Sequence, residues 1–158
     1  MKKIMYTRAN DGGVSIITPS PKSEIENMLG SMSDEQYEAI IMRSVPSDAI
    51  GATEIDDDVI PVSEEMFYKA WKQNGNKIDI DLEIARAIQL ERIRAAREPW
   101  FKELDQEFMQ AIEKGLDTKE IAEDKQYLRD ITEPLKALEL TSIDDVKSAF
   151  PKELKNKE

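Results

Sequence analysis

The sequence predicts an α+β fold: a small N-terminal part with a β-hairpin and short helices, followed by a C-terminal helical hairpin. Three observations predict it. Two β-branched and aromatic runs flank Asn10-Asp11-Gly12-Gly13 near the N-terminus. From Leu82 onward apolar residues recur at helical spacing. Gly115 interrupts that pattern, which resumes towards Pro134. The expected division is an N-terminal α+β part, 1–62, and a part of helix, short strand and helical hairpin, 63–158.

Residues 3–8 and 14–18 read as paired strands, with Asp11-Gly12-Gly13 supplying positive φ for the reversal. Pro19 and Pro21 end the ladder because neither donates to it. Ile25, Met28 and Leu29 lie at helical spacing before Gly30, and Ser33-Asp34-Glu35-Gln36 has the form of a capping box opening a second helix. Residues 47–62 read mostly as loop, with room for a short strand. Ser63 is expected to cap a helix through Trp71, with Phe67, Ala70 and Trp71 on one side. Asn74-Gly75-Asn76 then turns the chain into Lys77-Ile78-Asp79-Ile80-Asp81, whose strict alternation is that of a strand.

The helical stripe Ile84, Ile88, Ile93, Ala96 continues through Trp100, Leu104, Phe108 and Ile112. Pro99 is expected to kink or break it near 95–99, because its ring clashes one turn back and removes a backbone bond. Asp117-Thr118-Lys119-Glu120 predicts a capping box for the returning helix, lined by Ile121, Leu128 and Ile131 up to Pro134. The short turn at 114–117 makes the two helices antiparallel, pairing Phe108 with Ile121 and Lys125, Leu104 with Leu128, and Phe101 with Ile131. Ser142-Ile143-Asp144-Asp145 caps a last helix, and the tail from Lys152 is expected to fray.

Composition narrows function. The 158 residues carry no Cys and no His and a net charge of -11, with 40% apolar residues. Disulfides, thiolate nucleophiles, zinc fingers, Ser-His-Asp sites and HExxH sites are excluded. Acidity of this size repels phosphate backbones, so nucleic acid is not an expected partner. No run approaches the roughly 18 apolar residues of a membrane span. The N-terminus lacks an apolar stretch behind Lys2 and Lys3, so a signal peptide is not expected and synthesis in a cytoplasm is.

The dense carboxylates Glu54, Asp56, Asp57, Asp58, Glu64 and Glu65 lack the glycine and closing glutamate of an EF-hand and read as a solvated loop. Asp79 and Asp81 share one strand face without a pocket signal, and no cofactor is expected. Arg86, Arg92, Arg94 and Arg97 do not form one coherent basic face and read as ion-pairing residues for nearby glutamates. Met66, Phe67, Trp71, Trp100, Phe101, Phe108 and Met109 read as core or interface.

Three pieces carry a resemblance. They are Phe67-Tyr68-Lys69-Ala70-Trp71 with the strand from Lys77; Arg92-Ile93-Arg94-Ala95-Ala96-Arg97-Glu98-Pro99 running into Leu104-Asp105-Gln106-Glu107-Phe108-Met109; and Lys125-Gln126-Tyr127-Leu128-Arg129-Asp130-Ile131-Thr132 with Phe150-Pro151. This stretch resembles small proteins of tailed-phage tail modules, among them the C-terminal regions of tail-fibre assembly proteins and tail assembly chaperones. The resemblance implies contact with other virion or tail-fibre proteins, in a virion or in host cytoplasm during assembly, and no chemistry. A homo-oligomer or a place in a symmetric assembly is expected. Trp71, Arg94, Arg97, Trp100 and Phe101 are the candidate partner-binding residues. Trp100 should find cover from the N-terminal part or from another subunit, because a thin hairpin cannot bury it alone. The charge of -11 motivates a rival from another class, an acidic phage-encoded inhibitor of a host nucleic-acid-binding defence protein.

Overall fold

The computed structural model describes residues 2–157, with side chains through Leu154. The chain is α+β and divides into two compact units, Met1–Asp81 and Leu82–Glu158. Residues 63–81, grouped by the sequence with the C-terminal hairpin, pack within the first unit.

In the first unit β1 (Lys3–Thr7), β2 (Val14–Ile17) and β3 (Ile50–Ile55) form an antiparallel sheet in the order β2-β1-β3. The expected hairpin is present: the Arg8 N–H donates to the Gly13 carbonyl at 2.8 Å, and Gly12 occupies φ 67°. Arg8 clamps the turn, with Nε donating to Asp11 Oδ1 at 2.9 Å and Nη1 to the Val14 carbonyl at 2.8 Å. That guanidinium, assisted by the Gly13 N–H, holds the Asp11 carboxyl below its ordinary value.

β3 fills a segment that reads mostly as loop. β2 covers only one edge of β1, and the other edge must find backbone partners. Residues from Lys3↔Ile55 to Thr7↔Ile50 provide them, with a register shift between Met5 and Thr7 where Gly51 takes φ 64°. α1 (Lys22–Leu29) and α2 (Asp34–Met42) intervene between β2 and β3. The capping box of α2 is made as expected: the Gln36 N–H donates to Ser33 Oγ at 3.2 Å, and the Ser33 N–H to Gln36 Oε1 at 2.8 Å. Neither helix buries a residue completely, and Met28 and Leu29 stand exposed.

The helix expected from Ser63 is instead a run of 3-10 turns, Val62–Ala70, with non-helical dihedrals at Glu64 and Phe67. Phe67 and Ala70 are fully buried, so tertiary packing of these two overrides the helical pattern. Trp71 opens β4 (Trp71–Asn74), which pairs with β5 (Lys77–Ile80) across the predicted turn. Trp71 is therefore the cross-strand neighbour of Ile80 and belongs to the cluster of Met5, Val14 and Ile55. Gln73 stitches the two sheets, accepting from Thr7 Oγ1 at 2.9 Å and donating to the Gly51 carbonyl at 2.6 Å.

In the second unit α3 (Leu82–Glu113) runs for 32 residues through Pro99. The expected break is absent. Proline forfeits a single bond of the ladder, and apolar packing holds the helix on both sides. Ile93 is fully buried before it, while Trp100, Phe101 and Leu104 pack on the same cluster after it. α4 (Lys119–Asp130) returns, but its start is not a capping box: the Lys119 N–H donates to Asp117 Oδ1 at 3.0 Å and Thr118 caps nothing with its side chain. α4 also stops before Pro134, which lies in the first turn of α5 (Glu133–Ala137), where a missing N–H costs least. α6 (Ile143–Ser148) carries its expected box between Ser142 and Asp145. The tail does not fray at Lys152: Lys152–Lys157 forms a 3-10 segment, and Leu154 is buried against the cluster of Ile93, Leu128, Ile131, Leu135 and Phe150. Side chains beyond Leu154 lie outside the described residues.

Candidate functional site

Four contacts set the register of α3 on α4. Arg97 Nη1 donates to the Leu128 carbonyl at 2.8 Å and to the Arg129 carbonyl at 3.1 Å. Lys125 Nζ donates to Asp105 Oδ1 at 2.6 Å. The same ammonium lies 5.1 Å from the centroid of the Phe108 ring. Partners rise along α3 as they fall along α4, so the hairpin is antiparallel, and Phe108 meets Lys125 as expected. Phe101, Leu104, Leu128 and Ile131 share one apolar cluster.

The predicted partner-binding residues scatter. Trp71 is 7% exposed in the core of the first unit, so its ring supports folding rather than presenting a surface. Arg97 is not left to solvent: it closes the carbonyl end of α4, where a cation meets the negative pole of the helix. Its guanidinium also sits 5.6 Å from the Phe101 ring centroid. Asp105 stays exposed and pairs with Lys125. Arg94 remains at the surface and pairs with Glu91. Arg92 bonds to Gln89 Oε1 at 2.8 Å and faces the Phe150 ring at 5.4 Å. The basic stretch thus serves contacts within the unit more than glutamate pairing alone. Trp100 is half-buried, and the cluster around Ile93 and Leu128 in its own unit gives it cover.

Trp100 and Leu104 form one side of a groove of about 330 Å³. Its other sides are Asp124, Tyr127, Leu128 and Ile131, and Glu153 with Leu154 from the C-terminal segment. The α4 contribution follows from spacing, since positions three, four and seven apart lie on one side of a helix. A second depression of about 350 Å³ shares Tyr127 and Ile131 and runs on to Phe150, Pro151 and Lys152. Tyr127 is 54% exposed although it lies between two apolar hollows. Asp124 and Glu153 are exposed, and among the described residues neither takes part in an ion pair or side-chain hydrogen bond. Sequence reasoning named Trp100 here and missed Asp124, Tyr127 and Glu153. An exposed tyrosine beside Leu128 on the apolar stripe was the available signal.

The first unit has a larger depression, about 480 Å³, between α2 and β1, with Lys2, Lys3, Tyr37, Met42 and Glu54 among its lining. Several charges in and around it are paired. Lys2 meets Glu54 at 2.7 Å, Lys3 meets Asp57 at 3.1 Å, and Lys22 meets Asp34 at 2.7 Å. The acidic run around Asp57 is thereby partly engaged by the lysines of the N-terminus. Among the described residues no group of three or more carboxylates is arranged to hold a metal ion. Among the described residues no helix is long and apolar enough to cross a membrane.

The most strongly shifted carboxyl is Asp145, lowered to about 2 by hydrogen bonds from Thr141 and Ser142. It accepts from the Thr141 N–H at 2.9 Å and the Ser142 N–H at 2.8 Å, and this is helix capping. No family model, no curated protein and no solved structure matches this chain.

Proposed function

We propose that this chain is a structural or assembly protein of a tailed-phage tail or fibre module, acting by protein–protein binding and without catalysis. The carrying observation is the open apolar groove of the second unit, whose walls include Trp100 and the exposed Tyr127. Aromatic side chains left accessible over apolar ground are the usual anchors of protein interfaces. The resemblance of the stretch from Phe67 to Pro151 to tail-module proteins names the class of partner, other virion or tail-fibre proteins. It also supports a location in a virion, or in host cytoplasm during assembly. Arg94, Trp100 and Phe101 belong to the proposed contact surface. A homo-oligomer, or one copy per symmetry-related position, fits such a role. The absence of His and Cys removes the commonest nucleophile–base pairs and is in keeping with a binding role.

A mass-spectrometric inventory of purified particles, paired with deletion of the gene, tests the reading. Presence in particles supports a virion component. Absence from particles with a tail defect supports an assembly factor, and absence with normal tails overturns both. The net charge of -11 favours a second reading, an acidic inhibitor that imitates nucleic acid. Capture of a host nucleic-acid-binding protein, competed by DNA, would favour it.

A further inference from the structure

The groove of the second unit has a chemical preference of its own. Its floor is apolar, with Trp100, Leu104, Leu128 and Leu154, while Asp124 and Glu153 at its rim have no cationic partner among the described residues. The hollow of the first unit pairs Lys2 with Glu54 and Lys22 with Asp34, whereas among the described residues this groove sets two carboxylates without an ion-pair partner beside apolar surface. We propose that the groove binds a basic segment of a partner protein, seating one bulky apolar side chain over Trp100 and Leu104 with a Lys or Arg against Asp124 and Glu153. The inference rests on the protein-binding reading above and adds the chemistry of the partner.

Charge sets the sign. Two carboxylates without an ion-pair partner among the described residues, on a chain of net charge -11, attract cations and repel acidic peptides and phosphate backbones. Seating an apolar side chain beside them excludes water and strengthens the attraction. Size and continuity set the class of ligand. About 330 Å³ holds one large side chain or two small ones, at the low end for a small-molecule site. The adjoining depression across Tyr127 extends the surface in the manner of a peptide-binding groove.

The test follows Trp100 fluorescence in the full chain carrying Trp71→Phe. The probe is a synthetic peptide with a Leu-Phe centre flanked on both sides by lysines, and its counterpart has glutamates for the lysines. The lysine peptide should give a saturable change in Trp100 emission, and the glutamate peptide none. Asp124→Asn with Glu153→Gln should weaken binding about tenfold, and Tyr127→Ala should weaken it too. Asp56→Asn with Asp58→Asn, remote in sequence and lying in the first unit, should leave it unchanged. Apart from the shared Trp71→Phe background, these substitutions are at exposed positions, so circular dichroism should match that background. No saturable change, equal binding of both peptides, or equal loss from the Asp56/Asp58 control would each overturn the proposal. If the peptide fails while the chain still copurifies with tail proteins, this inference falls and the assembly reading stands. If the peptide binds as described but the chain neither enters particles nor affects tails, the assembly reading falls.

Discussion

Leu128→Ala probes the packing on which the groove depends. Leu128 is 6% exposed, between the α3 stripe and the C-terminal segment that carries Leu154. Truncation removes three carbons from an apolar environment, a transfer loss of ~2 kcal/mol. The cavity left behind adds to it, but Leu128 also lines the open groove, so the void is not sealed. The expected cost is therefore ~2–3 kcal/mol, in the lower half of the range for buried leucines. For a unit of this size that lowers the melting midpoint by roughly 10–20 °C. Thermal unfolding followed by Trp100 emission, in the Trp71→Phe background, measures it where the change is made. A midpoint within about 3 °C of the parent would refute the claim that Leu128 joins α3, α4 and the C-terminal segment.

Three further outcomes follow. Gly12→Val should cost about 1 kcal/mol or more because φ is 67° there. Gly13→Val should also destabilise, since a Cβ at Gly13 falls 2.0 Å from Arg8 Nη2; unchanged melting of both variants would remove the clamped-turn account. Trp71→Ala should cost ~3–5 kcal/mol by emptying the centre of the first unit, and a chemical-denaturation loss below ~1 kcal/mol would contradict its place in that core. Asp145 has a lowered folded-state pKa, so its contribution is present above about 4 and is lost as pH falls towards about 2. The melting gap between the parent and Asp145→Asn should close over that window, and a gap constant from neutral pH down to about 2 would argue against the capping assignment.

What was legible in the sequence was local. The capping boxes at Ser33 and Ser142, the Gly12 reversal and the Asn74-Gly75-Asn76 turn each depend on a few adjacent residues, and each is made. β3 was legible only as room for a short strand, because Ile50-Gly51-Ala52-Thr53 is a weak strand pattern, completed by an edge of β1 some 45 residues earlier. β4 escaped for a related reason, since a four-residue strand of Trp-Lys-Gln-Asn has almost no periodicity to read, although Trp71 itself reads as core. At Pro99 the helix is not broken: Ile93 on one side and Leu104 on the other hold α3 through a missing hydrogen bond. The groove was the least legible feature. Trp100 comes from one helix, Tyr127 from another and Leu154 from the C-terminal segment, and nothing short of the tertiary fold brings them together.

The most direct test of the central claim is affinity capture of the tagged chain from phage-infected cells, with the captured proteins identified and quantified. The account predicts tail or tail-fibre proteins in fixed stoichiometry, lost when Tyr127→Ala is combined with Asp124→Asn and Glu153→Gln. Capture of a host nucleic-acid-binding protein alone, or tail-protein capture unaffected by those three changes, would contradict it.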